Sequence, residues 1–398
     1  MMAATEQLGS IVDSTGLAGR TAGSELVAAY RPGSFFLASR AGTLLAHGVA
    51  HRAPDAADPA EAVRAVLAAA RPGSVVVGAL PFAPGAPASL VVPEAVHHGP
   101  PPVVTPSPVP RPRRRPLAMR AVPGQQVYAD GVRAALELMR GNELEKVVLA
   151  RALEVTLGEP VNLAELLGSL IDLDPVGYTF AVDTGQGTLV GSSPELLVSR
   201  KGGTVFANPL AGTLPRDRDP VVDGQRATRL LGSAKDRLEH GLVAEAVAEG
   251  LRPFVRKLEV SEPELLPTTA LWHLSTRITG ELTDPDVSSV DLARALHPTP
   301  AVCGTPVASA RAAIADIESF DRGFYTGAVG WCDEHGDGEW VVAIRCGLVD
   351  ANTVRLFAGA GIVPGSRPAD EVAETSAKFR PLLTALGFAH EELDGGAR

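Results

Sequence analysis

Two rhythms of apolar and polar residues run along the chain. Short apolar runs near the start, Phe35-Phe-Leu-Ala38, Val75-Val-Val-Gly-Ala-Leu80 and Leu90-Val-Val92, predict strands, and the alanine-rich stretch 59–70 predicts one helix among them. Helical spacing returns over 125–140, and a strand follows over 145–155. A short helix near 163–170 leads into a strand meander over 178–182, 189–191, 196–199 and 205–209. Gly185-Gln-Gly187 and Gly202-Gly203 mark its turns. Beyond it the pattern predicts one long helix over 225–257, a strand over 271–282, helical segments near Leu292 and over 308–317, and a second meander over 325–357. The last apolar strand runs into Gly359, Gly361 and Gly365, where Ser366 and Pro368 read as the cap and first turn of a C-terminal helix.

Consecutive hairpins imply antiparallel sheet, and long helices outside the meanders indicate a mixed α and β (α+β) domain instead of regular βαβ winding. No repeat of fixed period is present. The proline-dense stretch 97–116 carries Arg111, Arg113, Arg114 and Arg115. Without interleaved aromatic residues it reads as a surface connection, not a nucleic-acid patch. It divides a single domain, 1–398, into an N-terminal lobe, 1–115, and a main part, 120–388.

Composition narrows the function classes. A net charge of −10 argues against a nucleic-acid binder but leaves room for a local basic pocket that takes a small anion. Cys303, Cys332 and Cys346 lack the spacing of a disulfide framework or zinc site, which suits a reducing compartment. The segment beginning Met1-Met-Ala-Ala has no basic and apolar leader pattern, and no run is long and apolar enough to cross a membrane. A soluble, cytoplasmic, monomeric protein is the expectation.

The C-terminal helix carries the first candidate chemistry. Glu371, Glu374 and Lys378 share one helical face, beside the apolar face of Val372, Phe379, Leu382, Leu383 and Leu386. A second acid pair, Asp236 and Glu239, stands in the helical pattern of 225–257. If the two helices face each other, like charges about 5 Å apart repel by about 3 kcal/mol at an effective dielectric near 20, and a cation belongs between them. Oxygen ligands alone suit Mg²⁺, which keeps several waters and commonly takes one or two carboxylates plus an anionic substrate. Two solvated, charged helix faces would give the same spacing.

Gly359-Ala-Gly-Ile-Val-Pro-Gly365 does not match a dinucleotide fingerprint, because its last glycine comes one position late and no acidic residue follows at the required distance. Glycines there, and in Ala211-Gly-Thr-Leu-Pro-Arg216, would instead let backbone N–H groups approach an anion. Lys146 precedes an apolar run; facing inward it would lose hydration and become a candidate base, facing outward it would be an ordinary surface lysine. Glu195, between a turn and an apolar strand, is a candidate proton donor if burial raises its pKa. Arg345 interrupts the strand Val341-Val-Ala-Ile-Arg-Cys346 and would want a carboxylate partner, and His273 fits either a binding site or a satisfied core.

Taken together these motifs are specific. Lys146-Val-Val-Leu-Ala-Arg151, Ser193-Pro-Glu-Leu-Leu197, Ala211-Gly-Thr213, Lys235-Asp-Arg-Leu-Glu-His240, His297-Pro-Thr-Pro-Ala-Val-Cys-Gly304, Phe320-Asp-Arg322, Gly330-Trp-Cys-Asp333 and Ile344-Arg-Cys346 stand in that order ahead of the acidic C-terminal helix. In this the chain resembles the chorismate-utilising enzymes, most closely isochorismate synthases of the catecholate siderophore type, strongly over 120–388 and weakly over the first 115 residues. The resemblance implies the fold of anthranilate synthase component I, stacked antiparallel sheets surrounded by helices around one magnesium-dependent site. It implies Mg²⁺ on Glu239 and Glu374, with Asp236 and Glu371 in or near its water shell. The ring carboxylate of chorismate would lie on the metal, Lys378 and the Gly212–Thr213 region. Arg345, Tyr325 and the backbone of Gly359 and Gly361 would hold the enolpyruvyl carboxylate, with His273 and Ala301 also lining the substrate. Lys146 would activate water for attack at ring carbon 2, and Glu195 would protonate the hydroxyl leaving carbon 4.

The same resemblance separates relatives. Lys146 favours water over ammonia, so no amidotransferase subunit is expected. Ala301 stands where salicylate synthases carry threonine, which implies that the reaction stops at isochorismate, whereas Tyr325 is the residue of those lyases. A salicylate synthase, or a chorismate-binding protein without catalysis, is the alternative. The implied product feeds 2,3-dihydroxybenzoate siderophore synthesis.

Overall fold

The computed structural model describes residues 22–103, 114–269 and 271–388. The stretch from Met1 read for a leader pattern, Arg111 and Arg113 lie outside the described residues. Among the described residues every strand pairing is antiparallel. A ten-stranded sheet runs, in spatial order, through Gly304–Thr305, Lys146–Thr156, Thr353–Ile362, Cys346–Asp350, Thr188–Ser193, Tyr178–Asp183, Phe35–Ser39, Gly42–His47 and Ala95–Gly99, with Ala118–Val122 also paired to Lys146–Thr156. A nine-stranded sheet has the strands Leu196–Lys201, Gly338–Val342, Ala328–Asp333 and Val75–Leu80 at its centre. A three-stranded sheet joins Leu210–Pro215, Leu271–Ser275 and Glu264–Pro267.

Strands buried on both faces explain the continuous apolar runs, since a sheet covered on two sides has no solvent face to alternate toward. Phe35–Ser39 and Val75–Leu80 are buried at every position. Phe35, Leu37, Val77, Phe180, Val329 and Val341 fill the space between the two large sheets. On the outer face of the ten-stranded sheet, Leu166, Leu167 and Leu170 of helix Leu163–Leu173 pack with Phe379, Leu382 and Leu383 of helix Pro368–Ala385. Beyond the nine-stranded sheet, helices Pro59–Ala69, Ala234–Leu251 and Ser289–Leu296 contribute Val63, Val247, Leu251 and Leu292. The result is stacked antiparallel sheets with helices outside both. Residues of the N-terminal lobe enter both large sheets, pairing Phe36 with Ala181 and Val77 with Trp331.

Several boundaries differ from expectation, each for a local reason. The long helix over 225–257 is two helices, Pro220–Gly232 and Ala234–Leu251. Ser233 leaves the helical region and its hydroxyl accepts the Asp236 N–H at 3.2 Å, starting a second helix. Pro253 then lies in a 3-10 turn, and the chain turns outward as strand Val255–Val260. The strand over 271–282 is also two, Leu271–Ser275 and Ile278–Leu282, in different sheets. The supposed connection from residue 97 begins inside strand Ala95–Gly99. At the C-terminal helix Arg367, not Ser366, holds the cap position, while the Ser366 hydroxyl accepts the Val363 N–H at 3.3 Å.

Candidate active site

Lys146 opens strand Lys146–Thr156 and is 1% exposed. Its ammonium lies 2.8 Å from Glu239 Oε1, joining the ten-stranded sheet to helix Ala234–Leu251. Gly361 makes this contact possible: a Cβ there would come 2.7 Å from Glu239 Oε1 and 3.2 Å from Lys146 Cε. Burial by itself would raise the Glu239 carboxyl, but the charge and hydrogen bond of Lys146, with Lys378 and Lys235 beyond, outweigh it and hold the group below its ordinary value.

Glu195 lies in the two-residue connection from strand Thr188–Ser193 of the ten-stranded sheet to strand Leu196–Lys201 of the nine-stranded one, and is 3% exposed. Burial pushes its carboxyl up to about 8, only partly opposed by the Leu210 N–H and the charge of Lys146. At neutral pH it holds a proton, the state a general acid needs.

The C-terminal helix lays its acids along the same space. Glu371 is buried, and burial, then the charge of Glu374, raise it to about 7 against the pull of the Ser366 hydroxyl, Lys235 and Lys378. Glu374 pairs with Lys378 at 2.6 Å, and Lys378 also donates to the Gly359 carbonyl at 2.7 Å. The Gly359 carbonyl is therefore engaged by a lysine. A side chain at Gly359 would meet the Tyr325 hydroxyl at 2.9 Å, so both glycines make space for neighbouring side chains, a use the sequence did not suggest.

The donor set fits Mg²⁺ on chemistry: Glu239, Glu371, Glu374 and Asp236 line one space and offer only oxygen, and the mutual repulsion of Glu371 and Glu374 is what a cation relieves. Among the described residues no group of three or more acidic, histidine or cysteine side chains is close enough to hold a metal alone. A cation held here would need water and substrate to complete its coordination, as is usual for Mg²⁺. Glu239 and Glu374 are each paired with a lysine, so a cation would have to share or take over those oxygens.

Gly212 lies in the left-handed region, φ 74°, at a bulge where the pairing with strand Leu271–Ser275 shifts register. Its missing side chain lets the strand approach Asp236, whose Cβ would be 3.2 Å from a Cβ at Gly212. Thr213 Oγ1 is 3.1 Å from His273 Nδ1, and His273 Nε2 is buried with no partner among the described residues. Burial, then the charges of Arg345 and Lys378, hold His273 well below its ordinary value, so the ring is neutral. The core and binding alternatives for His273 are thus both half true: one nitrogen is satisfied, the other is not.

Arg345 is not in a strand. It lies in the crossover from strand Gly338–Val342 of one large sheet to Cys346–Asp350 of the other, at φ 51°, a conformation that only a surrounding structure maintains. Burial lowers its pKa against the opposing charge of Glu374, and no carboxylate among the described residues forms an ion pair with it. Tyr325 is buried and stacks on Phe357 at 5.0 Å between centroids, with burial raising its pKa so that the phenol stays protonated.

All these groups, with Ala301, line one cavity of about 490 Å³ between strands of the ten-stranded and three-stranded sheets, the connections between the two large sheets, and three helices. Arg229, Lys235 and Arg367 line it too and were not singled out from sequence. Lys235 and Arg367 were legible, standing beside Asp236 and Pro368 in motifs already noted. Arg229 was hidden near the start of what read as one long helix over 225–257.

A family model for chorismate binding enzymes matches residues 105–387. Isochorismate synthase DhbC of Bacillus subtilis is 48% identical over 388 residues, covering 93% of this chain and 98% of that protein. The crystal structure of DhbC from Bacillus anthracis, assigned as 2,3-dihydroxybenzoate-specific, superposes with a TM-score of 0.86 at 46% identity, covering 92% of this chain and all of the other. Anthranilate synthase component I from Streptococcus pneumoniae shares the fold, with a TM-score of 0.69 at 21% identity and 94% of each chain covered. One cavity lined by the motif residues and a family match over residues 105–387 lead to one assignment: this chain belongs to the chorismate-binding enzyme family.

Proposed function

We propose that the protein is an isochorismate synthase that converts chorismate to isochorismate. The observation that carries this reading is that Lys146, on a strand of the ten-stranded sheet, and Glu195, in the connection between the two large sheets, reach one cavity in a chain 48% identical to DhbC. As the neutral amine, its proton first passed along the contact with Glu239, Lys146 takes a proton from water as the water oxygen bonds to ring carbon 2 and the ring double bonds shift toward carbon 4. The carbon 4 hydroxyl departs with the proton of Glu195, so one water enters, one leaves, and the product is an isomer. Arg345, with no ion-paired carboxylate among the described residues, binds the enolpyruvyl carboxylate together with Tyr325. Lys378, Gly212 and Thr213 bound the ring carboxylate, and His273 and Ala301 the ring.

Mg²⁺ would be held by Glu239 and Glu374, with Asp236 and Glu371 through water, and would supply charge neutralisation at the ring carboxylate. The protein acts in the cytoplasm as a monomer without an amidotransferase subunit, and its product feeds 2,3-dihydroxybenzoate siderophore synthesis. Among the described residues no helix is long and apolar enough to cross a membrane.

Incubation with chorismate and Mg²⁺, followed by chromatography of the products, tests the reading. Isochorismate alone is expected. Salicylate with pyruvate would instead favour the lyase that Tyr325 suggests, and unchanged chorismate would favour a binding protein.

A further inference from the structure

Behind the cavity wall lies a buried ion pair that touches no candidate reacting group. Arg322 is 3% exposed, and the side chains of Arg322 and Glu318 are almost wholly enclosed. An arginine side chain carries five N–H donors, and here each has a partner. Nε and Nη2 donate to the two Glu318 oxygens at 2.8 and 2.5 Å. Nη1 donates to Val302 O at 2.9 Å and to Thr326 Oγ1 at 3.2 Å, and Nη2 to Val148 O at 2.7 Å. Glu318 Oε1 in turn accepts the Ala150 N–H at 2.7 Å. The guanidinium lies over the Phe82 ring at 4.5 Å.

These partners are not arbitrary points in the core. Val148 and Ala150 belong to the strand that begins with Lys146, Val302 follows Ala301, and Thr326 follows Tyr325. One planar group therefore measures off the separation of three wall segments that come from distant parts of the chain. Thr326 shows that the arrangement is imposed: it is β-branched yet holds φ 60°, in the left-handed region. Its hydroxyl accepts from Arg322 and donates to the Tyr325 carbonyl at 2.5 Å, and its N–H donates to Ala343 O at 2.8 Å.

We propose that the Arg322–Glu318 pair and Thr326 position the reacting geometry of the site, fixing the Lys146 strand relative to Ala301 and Tyr325. This rests on the isochorismate synthase reading. Misplacing a reacting group by about 1 Å costs on the order of 100-fold in rate while leaving ground-state contacts largely in place. The pair therefore acts on kcat and not on substrate or metal affinity.

Arg322→Met removes every bond at once and can fail to fold, so the test uses Glu318→Gln, which keeps shape and oxygen acceptor, and Thr326→Val, which deletes only the hydroxyl. Both are assayed with chorismate and Mg²⁺ beside the wild type and Thr326→Ser, with unfolding temperatures measured in parallel. Expected are kcat losses of about 10- to 100-fold for Glu318→Gln and Thr326→Val, with chorismate KM and the half-saturating Mg²⁺ concentration within about threefold. Thr326→Ser, which restores the hydroxyl, is expected to recover most of kcat. Variants that turn over at the wild-type rate overturn the proposal, as do losses that only follow a collapse in unfolding temperature or that Thr326→Ser does not rescue. A wild type that yields no isochorismate overturns the functional reading first and the proposal with it.

Discussion

Lys146 Nζ and Glu239 Oε1 stand 2.8 Å apart across Gly361, in a contact that joins a candidate base to a candidate metal ligand. The two roles are therefore coupled through one pair of atoms. Lys146→Ala is expected to lower kcat by about 1,000-fold or more with chorismate affinity largely retained, since the proposed role of the lysine is toward water and not the substrate carboxylates. It also leaves a buried carboxylate without its partner, costing about 3 kcal/mol of stability. Steady-state kinetics, direct substrate binding and thermal unfolding measure the three effects, and strong residual turnover would remove Lys146 as the base.

Gly361→Ala brings a methyl group against the far end of Glu239, a flexible side chain that can move aside. The fold should survive, with unfolding near the wild-type temperature, while turnover falls by about 10-fold or more as the pair is displaced. Wild-type kinetics in this variant would show that the pair's placement is not critical.

Glu195 makes a pH prediction. Its carboxyl is raised to about 8 in the fold by burial, and a general acid must hold its proton, so activity should decline as pH rises through about 8. Stability follows the same direction. An unfolded glutamate loses its proton near pH 4.5 while the folded one keeps it, so the stabilisation is complete below 4.5 and is lost as pH climbs to about 8, on the order of a few kcal/mol. Glu195→Gln should abolish turnover and flatten this stability slope, measured by denaturant unfolding between pH 5 and about 9. An unchanged slope would assign the alkaline loss to another group.

Glu374→Gln removes one charge from the acid helix and turns the 2.6 Å ion pair with Lys378 into a hydrogen bond to a neutral amide. We expect the half-saturating Mg²⁺ concentration to rise by about 10-fold or more, with calorimetric titration of the metal showing the same weakening. Chelation of divalent ions should stop turnover in the wild type. Mg²⁺ dependence that is the same in Glu374→Gln would contradict the ligand assignment.

Local periodicity was sufficient for most elements because strands enclosed between layers are apolar throughout and helices with one buried face repeat along it. Lys146, Glu195 and the acid pairs were visible through residue type and motif order. Where the reading ran long, over 225–257, a serine hydroxyl had taken over a backbone N–H and restarted the helix, a competition that hydrophobic spacing does not register.

What the chain alone determined was its classes of element, the chemistry available and, through motif order, the kinship. Only the tertiary structure decided that Arg345 sits in a crossover between sheets, that Gly359 and Gly361 make room for Tyr325 and the Lys146–Glu239 pair, and that Arg322 ties three wall segments together. The reason is physical: each of these depends on contacts between segments far apart in sequence. Whether a charge is paired, a glycine is crowded or a carboxyl keeps its proton is set by what folding brings beside it.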